Sequence, residues 1–198
     1  LMAESMLENI PDGGDIFLIQ GPLTDNNVSL IREGIDETLA GSNLNVVYEA
    51  NCPGWIAENA YTYTKEGLKL DRNVKGIICG NDDLASQAFR ALSEERLAGK
   101  VCVTGQDGDL AACQRIVEET QEMTAFKSVE QEASLAAKCA VLLGLGEEIE
   151  EVQDTAYDGT YNVPYLELQP IAVTKENMDE VIIKGGFHAK EDVYLNVN

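Results

Sequence analysis

The sequence predicts an α/β fold in which a parallel sheet is flanked by helices. Short apolar runs alternate along the chain with stretches whose apolar residues recur every three or four positions, a pattern typical of strands alternating with amphipathic helices. Polar residues follow the apolar runs, as expected where strands turn into helices. The 198 residues, 44% of them hydrophobic, are enough for one domain or slightly more, with a sizeable core.

Five apolar runs predict the parallel strands of this sheet. They span residues 15–19, 44–48, 74–79, 100–104 and 122–126. The stretches between and after them predict helices over residues 28–39, 56–69, 84–97, 110–118 and 129–143. In the first of these helices Leu30, Ile31, Ile35 and Leu39 are expected to fall on one face, and Gly99 closes the end of the third.

The pattern changes after Gly146. An acidic connector over residues 147–151 leads to a turn at residues 161–164 and then to a predicted strand over residues 165–173. Thr174 caps a predicted short helix over residues 175–183. We interpret this part of the chain as a linker followed by a return, with a polar tail at its end.

The charge of the chain argues against nucleic acid as a partner. The formal net charge is −21, with 14 Lys and Arg scattered among 35 Asp and Glu, whereas a phosphate backbone must be met by clustered basic residues. No run of eighteen or more apolar residues is present, and the first residues lack the pattern of a signal peptide. We therefore expect a soluble protein without a nucleic-acid partner.

The cysteine and histidine content argues against a metal site and against catalysis. The five cysteines are irregularly spaced and there is one histidine, His188, so neither a zinc site nor a disulfide framework is indicated. Cys79 and Cys102 lie inside apolar strand patterns, where a free thiol packs as a small hydrophobic group. No G-x-S-x-G or H-E-x-x-H motif occurs. We expect neither a cofactor nor an enzyme.

Polar residues follow the predicted strands, where open parallel sheets bind their ligands. The candidates at this edge are Asn27, Trp55, Asn81, Asp107 and Lys127. Amides, a carboxylate and an ammonium group can hold sugar hydroxyls, and a flat aromatic ring can cover the C–H face of a sugar.

Each candidate also has a purely structural interpretation. Asn27 and Asp82 directly precede predicted helices, where such residues are more often N-caps, and for Asp82 we favour the cap. Asn81 divides evenly between a turn amide and a ligand contact. Asp107 fits a common turn, Trp55 fits the core and Lys127 fits the solvated surface. Their convergence on one edge favours the functional interpretation.

Several stretches resemble a known family. They are Asp25-Asn26-Asn27, Gly54-Trp55, Gly80-Asn81-Asp82, Val103 to Asp107, Thr120 to Thr124, Lys127, and the most family-specific C-terminal stretch, Val163-Pro164 through Pro170-Ile171 and Ile182-Ile183-Lys184 with Gly186-Phe187-His188. On these residues the chain resembles, nearly end to end, the D-xylose-binding proteins of bacterial ABC transporters, within the type I periplasmic binding protein superfamily. The sequence departs from the family at Ala125-Phe126, where a tyrosine often precedes the lysine.

The resemblance implies a function and a set of sugar contacts. It implies a solute-binding component of an ABC sugar importer that binds D-xylose or a related aldose and docks to a membrane permease. The implied contacts are Asn27, Trp55, Asn81, Asp107 and Lys127, with Trp55 stacked on the pyranose. The implied location is the periplasm or the outer face of the cell, with a lipid anchor on a missing N-terminus as one possibility.

Family members have two lobes, and by this resemblance the N-terminal lobe is missing here. The Rossmann-like C-terminal sugar-binding lobe is expected to span residues 1–127, beginning within its first helix. Residues 128–163 are expected to return to the missing lobe, and residues 164–198 to pack back on the C-terminal lobe as a final strand, a short helix and the tail.

Two expectations follow from a missing lobe. The chain alone should bind xylose weakly or not at all, since half of the polar contacts and the enclosure are absent. The helix over residues 129–143 should pack in an abnormal position or against a neighbouring chain, because its apolar face has lost its partner.

Two other functions use the same fold. One is an extracellular sugar sensor that docks to a membrane histidine kinase, which sequence does not separate from an importer component. The other is the effector domain of a sugar-responsive repressor, which the net charge of −21 and the C-terminal stretch disfavour.

Overall fold

In the computed structural model, which describes residues 1–150, 152 and 154–197, a six-stranded sheet forms the centre of the larger part of the chain. Its strands are β1 (Gly14–Gln20), β2 (Leu44–Asn51), β3 (Gly76–Cys79), β4 (Cys102–Gln106), β5 (Met123–Phe126) and β8 (Ile171–Val173). Their order is β2-β1-β3-β4-β5-β8. The first five are parallel, and β8 pairs with β5 in the antiparallel direction. The predicted α/β class is confirmed.

Seven α-helices are described besides the strands. They are α1 (Met2–Asn9), α2 (Asn26–Leu39), α3 (Glu58–Leu70), α4 (Asp82–Glu94), α5 (Leu110–Val117), α6 (Val129–Leu145) and α7 (Lys190–Val193). A 3₁₀ turn covers Pro53–Trp55, and a π-helical turn covers Asp179–Ile183. A separate two-stranded antiparallel sheet joins β6 (Asp154–Tyr157) to β7 (Asn162–Tyr165).

The chain divides into two compact units. The first contains Leu1–Phe126 and Ile171–Asn198, and the second contains Lys127–Pro170. The predicted lobe boundaries at residues 127 and 163 remain predictions. Glu151, at the end of the predicted acidic connector, lies outside the described residues, as do Gln153 and Asn198.

The core of the first unit lies on both faces of the sheet. Phe17 and Ile19 of β1 pack into one cluster, with residues of α3 and α4. Ile16 and Leu18 point the other way and pack with residues of α1 and α2. Because successive strand residues face opposite sides, a strand covered on both sides is apolar throughout. This explains the continuous apolar run over residues 16–19, and it places the next residue, Gln20, on the α2 side.

Two expectations for the later part of the chain are wrong. The predicted strand over residues 165–173 is not continuous, because β7 ends at Tyr165, β8 begins at Ile171, and the two lie in different sheets. The helix predicted over residues 175–183 is a π-helical turn that covers only Asp179–Ile183, so Thr174 does not cap it. Alternation of apolar and polar residues marks extended chain, but it does not identify the strand with which that chain pairs.

Helix α6 belongs to the second unit and its side chains are mostly exposed. Ser128 caps it through a hydrogen bond from Gln131 N to Ser128 Oγ, and Gly146 ends it in the left-handed conformation. None of its described residues is buried, and Val129, Val141, Leu143 and Leu145 are largely exposed. The expected packing of α6 in an abnormal position stays a prediction, as does its coverage by a neighbouring chain.

Candidate functional site

Trp55 lies flat across the carboxyl ends of two strands. Its indole ring is half-buried and packs on the core cluster between α3, α4 and the sheet. Gly21, just after β1, and Gly80, just after β3, lie under the ring, and a Cβ at Gly21 would collide with it. The backbone of Trp55 has φ 58°, in the left-handed region. The absence of a side chain at Gly21 lets the ring lie down on the sheet edge.

Asp25 orients the indole ring and begins α2. Its Oδ2 accepts a hydrogen bond of 3.0 Å from Trp55 Nε1, and its Oδ1 accepts one of 2.9 Å from Asn27 N. Asp25 is therefore the N-cap of α2. The structural interpretation of Asn27 as a cap is wrong, because Asn27 lies inside the first turn of α2. Its side chain is exposed.

Asn81 is the N-cap of α4. Its Oδ1 accepts a hydrogen bond of 2.9 Å from Leu84 N. The cap uses the carbonyl oxygen of the side-chain amide, and the Nδ2 group takes no part in capping the helix. The two interpretations of Asn81, turn amide and ligand contact, are compatible in this geometry.

Asp82 is a buried acceptor and not the expected N-cap. It has no solvent exposure, and its Oδ2 accepts hydrogen bonds from Gly108 N at 3.0 Å and Asp109 N at 3.1 Å. The same oxygen accepts a 2.7 Å bond from Thr124 Oγ1, and Oδ1 accepts a 2.9 Å bond from Gln121 Nε2. The favoured assignment of Asp82 as a cap is therefore wrong. The carboxylate ties α4 to the turn after β4.

Burial raises the pKa of Asp82 to about 6, against the opposing effect of the hydrogen bonds from Thr124 and Gln121. The nearest basic group in this network is Arg115, which is itself buried and donates from Nε to Gln121 Oε1 at 3.0 Å. Arg115 also lies over the ring of Phe89, with Cζ 5.7 Å from the ring centre. A small buried polar network thus surrounds the carboxylate.

Asp107 sits in the turn that Asp82 holds. Its backbone nitrogen donates to Ala125 O at 3.0 Å, which extends the pairing of β4 with β5. Its φ of 103° is unfavourable for a residue with a side chain and costs about 1–3 kcal/mol. Such a conformation persists where neighbouring contacts fix it, and the two backbone bonds from residues 108 and 109 to Asp82 do so.

The C-terminal segment supports the same turn from the other side. His188 Nε2 is 2.8 Å from Gly108 O, and the Phe187 ring packs on Phe126 with ring centres 4.8 Å apart. A side chain at Gly108 would collide with Phe126. These contacts give the Gly186-Phe187-His188 stretch a structural role next to the carboxyl edge of the sheet.

Lys127 is the residue that directly follows β5 and belongs to the second unit. Its side chain is exposed. The structure thus places Asn27, Trp55, Asn81 and Asp107 after four strands of one sheet, and Lys127 next in the chain to a fifth. Their joint role as sugar contacts stays a prediction.

Sequence reasoning missed Asp25 as the partner of Trp55 and Asp82 as the anchor of the Asp107 turn. Asp25 carries a local signal, because an Asp just before the start of a helix is a common N-cap. Asp82 carries none, since its partners are 26 to 42 residues further along the chain.

Other kinds of site find no support within the described residues. The five cysteines are free thiols, and Cys79 is fully buried, as expected for a packing residue. Burial raises the pKa of Cys52 to about 11 and that of Cys113 to about 12. Among the residues that the structure describes, no group of three or more His, Cys, Asp or Glu is placed to hold a metal ion. Within the same residues, every helix is too short or too polar to cross a membrane.

Comparison with known proteins gives consistent matches. A family model described as "Periplasmic binding protein domain" matches residues 1–148. The chain is 40% identical over 199 residues to the D-xylose-binding periplasmic protein of Haemophilus influenzae, which covers 98% of this chain and 59% of that protein. It is 36% identical over 198 residues to the D-xylose-binding periplasmic protein of Escherichia coli K12, with the same coverage of 98% and 59%. The chain thus spans less than two thirds of the length of both relatives.

Among solved structures, the chain is similar to an ABC transporter solute binding protein from Clostridium phytofermentans with bound β-D-glucose. The TM-score is 0.83 at 23% identity, and the match covers 97% of this chain and 65% of that one. At this identity the similarity supports the fold alone.

Proposed function

Because the chain belongs to the periplasmic binding protein domain family, we propose that it forms one wall of a sugar-binding cleft in the solute-binding component of an ABC sugar importer. The proposed ligand is D-xylose or a related aldose. The observation that carries the proposal is the indole ring of Trp55, held flat at the carboxyl edge by Gly21 and by the hydrogen bond to Asp25. A flat aromatic surface beside amides and a carboxylate is what a pyranose needs.

In this proposal each edge residue has a distinct role. Trp55 stacks on the C–H face of the sugar ring, while the amides of Asn27 and Asn81 and the carboxylate of Asp107 bind its hydroxyls. Lys127 supplies an ammonium group from the residue after β5. The fixed turn at Asp107 supports this assignment, because a carboxylate held in place before binding loses less entropy when it binds.

The proposal includes a second lobe that encloses the sugar. Both D-xylose-binding relatives are longer than this chain, which covers 59% of each. In our proposal the first unit supplies one wall, the second unit connects to the other lobe, and closure brings the two walls together. In the same proposal the protein binds its ligand without converting it, which is consistent with relatives that are named as binding proteins.

The proposed location is the periplasm, and the proposed partner is the membrane permease of the transporter. The net charge of −21 supports neither nucleic acid nor an anionic membrane surface as a partner. Lipid anchoring at the membrane belongs to the same proposal, and mass spectrometry of the exported protein would detect the added acyl mass.

A thermal-shift panel of aldoses on a protein that carries both lobes tests the function. D-Xylose or a close relative should raise the melting temperature, since a ligand that binds only the folded state stabilises it by mass action. The variant Trp55→Ala should lose most of this shift. A two-lobed protein whose melting temperature is unchanged by every pentose and hexose would contradict the proposal.

A further inference from the structure

A cavity of about 400 Å³ lies between α2 and the carboxyl ends of β1 and β2. Its lining includes Gln20 and Asn51 from the strands and Val28, Arg32 and Asp36 from α2. Its volume is in the range of pockets that enclose small ligands, about 300–1,000 Å³. The five proposed sugar contacts are not among the described residues that line it, so it is a separate feature of the surface.

The floor of the cavity carries a buried amide without a protein partner. Gln20 is 1% exposed, and neither its Oε1 nor its Nε2 has a hydrogen-bond partner among the described residues. Strand alternation explains its direction, since Gln20 shares the α2 side of β1 with Ile16 and Leu18. A buried amide that bonds to nothing destabilises the fold, so an amide in this position favours a bound group.

The rim of the cavity is strongly acidic. Four carboxylates, those of Glu33, Asp36, Glu37 and Glu49, surround the single guanidinium of Arg32, which leaves a net charge of −3. The guanidinium is already occupied: it makes two bonds of 3.1 Å to Glu49 and also pairs with Asp36. A bound anion is therefore disfavoured, while a cation gains from the surplus carboxylates.

We propose that this cavity docks a lysine or arginine side chain carried by a partner protein, with the Gln20 amide pairing to the main chain of that segment. The Gln20 side chain offers one acceptor and one donor group, which match the N–H and C=O of a peptide unit. Leu23 and Val28 are the apolar residues of the lining, against which the methylene stem of a basic side chain packs. An uncharged sugar would gain no electrostatic attraction from the net charge of −3. The site is independent of the sugar edge and of the function proposed for it.

Nuclear magnetic resonance of the ¹⁵N-labelled chain tests this site directly. The probe is N-acetyl-arginine methylamide, and the matched control ligand is N-acetyl-citrulline methylamide, which has the same shape without the charge. The arginine compound should shift the side-chain amide signals of Gln20 in a saturable way, and citrulline should not. Raising the salt concentration from about 20 to about 200 mM should weaken the arginine effect by several fold.

Variants separate the charge from the amide. The double change Glu33→Gln with Glu37→Gln should weaken binding by about fivefold or more, whereas Glu8→Gln, an exposed acid on α1, should change it by less than about twofold. Gln20→Leu should abolish binding of the arginine compound, while the other signals of the spectrum keep the dispersion of a folded protein.

Three results would overturn the proposal. One is equal binding of the citrulline and arginine compounds. Another is an arginine response that persists in Gln20→Leu. The third is a shift of the Gln20 signals by D-xylose or Mg²⁺ but not by the arginine compound, which would assign the cavity to a different occupant.

Discussion

At the scale of single residues, two carboxylates fix the conformation of the carboxyl edge of the sheet. Asp25 fixes the indole ring of Trp55, and Asp82 fixes the turn that carries Asp107. Neither belongs to the proposed sugar contacts. In both cases a carboxylate accepts hydrogen bonds from groups that would otherwise be free to move, so the edge is organised before a ligand arrives.

The variant Gly21→Ala tests the position of the indole ring. The added Cβ would collide with the ring of Trp55, so the ring must leave the strand ends and aldose affinity in a two-lobed protein should fall by about tenfold or more. Trp55 is the single tryptophan, so its fluorescence reports the displacement directly.

The matched control is Gly34→Ala in the exposed part of α2, where a Cβ meets no atom within 4 Å. This change should leave the fluorescence unchanged and stabilise the helix by about 0.5–1 kcal/mol. An unchanged emission spectrum in Gly21→Ala would show that the ring does not depend on Gly21.

The pKa of Asp82, raised to about 6 by burial, predicts a pH effect on stability. As pH rises, this carboxyl ionises at a lower pH in the unfolded chain than in the folded protein, so its ionisation lowers the free energy of unfolding. The loss is nearly complete above about pH 6 and disappears as the pH falls toward 4. The free energy of unfolding of the wild type, relative to Asp82→Asn, should therefore increase by about 1 kcal/mol between pH 7 and pH 5.

Urea denaturation at the two pH values measures this difference. The control is Asp83→Asn, which makes the same change at an exposed neighbour on α4. If the difference in the free energy of unfolding between wild type and Asp82→Asn were the same at both pH values, or decreased from pH 7 to pH 5, burial would not be what sets the pKa of this carboxyl.

At the scale of elements, helix starts serve both the fold and the proposed site. Asp25 begins α2 and Asn81 begins α4, and both lie at the carboxyl edge of the sheet. This follows from the architecture, because in a parallel α/β sheet each helix starts where a strand has just ended. A residue that caps such a helix therefore lies at the edge where open parallel sheets bind their ligands.

Variants of Asn81 separate capping from sugar binding. Asn81→Ala should cost about 1 kcal/mol of stability through the lost cap, whereas Asn81→Asp should keep stability within about 0.5 kcal/mol because a carboxylate also caps. Both should weaken aldose binding, since neither side chain can donate a hydrogen bond.

Denaturation curves and calorimetric titration of a two-lobed protein give the two quantities. Full sugar affinity in Asn81→Asp would restrict Asn81 to the structural role.

At the scale of the whole molecule, our proposal makes the carboxyl edge of the sheet one wall of a cleft. The sugar contacts proposed for this chain come from one side, and the polar groups that complete a hydroxyl-binding network lie, in our proposal, on another lobe. Half a network leaves most of the sugar hydrated, so little of the binding free energy is available to one wall.

Calorimetry of the chain with D-xylose should accordingly show an affinity at least about 100-fold weaker than that of the Haemophilus influenzae relative measured alongside it. The chain should nonetheless be folded, as circular dichroism would show. Affinities within tenfold of each other would mean that the second lobe is not needed for binding.

The α/β class, the five parallel strands and the helices between them follow from the local pattern of apolar residues, and the structure confirms them. The local pattern also locates the residues after each strand, because the carboxyl ends of parallel strands share one edge. It fails at residues 165–173, where the pairing of β7 and β8 depends on chain segments elsewhere.

Only the tertiary structure decided how that edge is held together. Asp82 bonds to the turn 26 residues further on, and His188 meets Gly108 across 80 residues. The path of the backbone sets such distances, and no periodicity in the sequence encodes them. The sequence by itself thus determined which residues follow the strands at the carboxyl edge of the sheet, and the fold determined which side chains, Asp25 and Asp82 among them, hold the others in place.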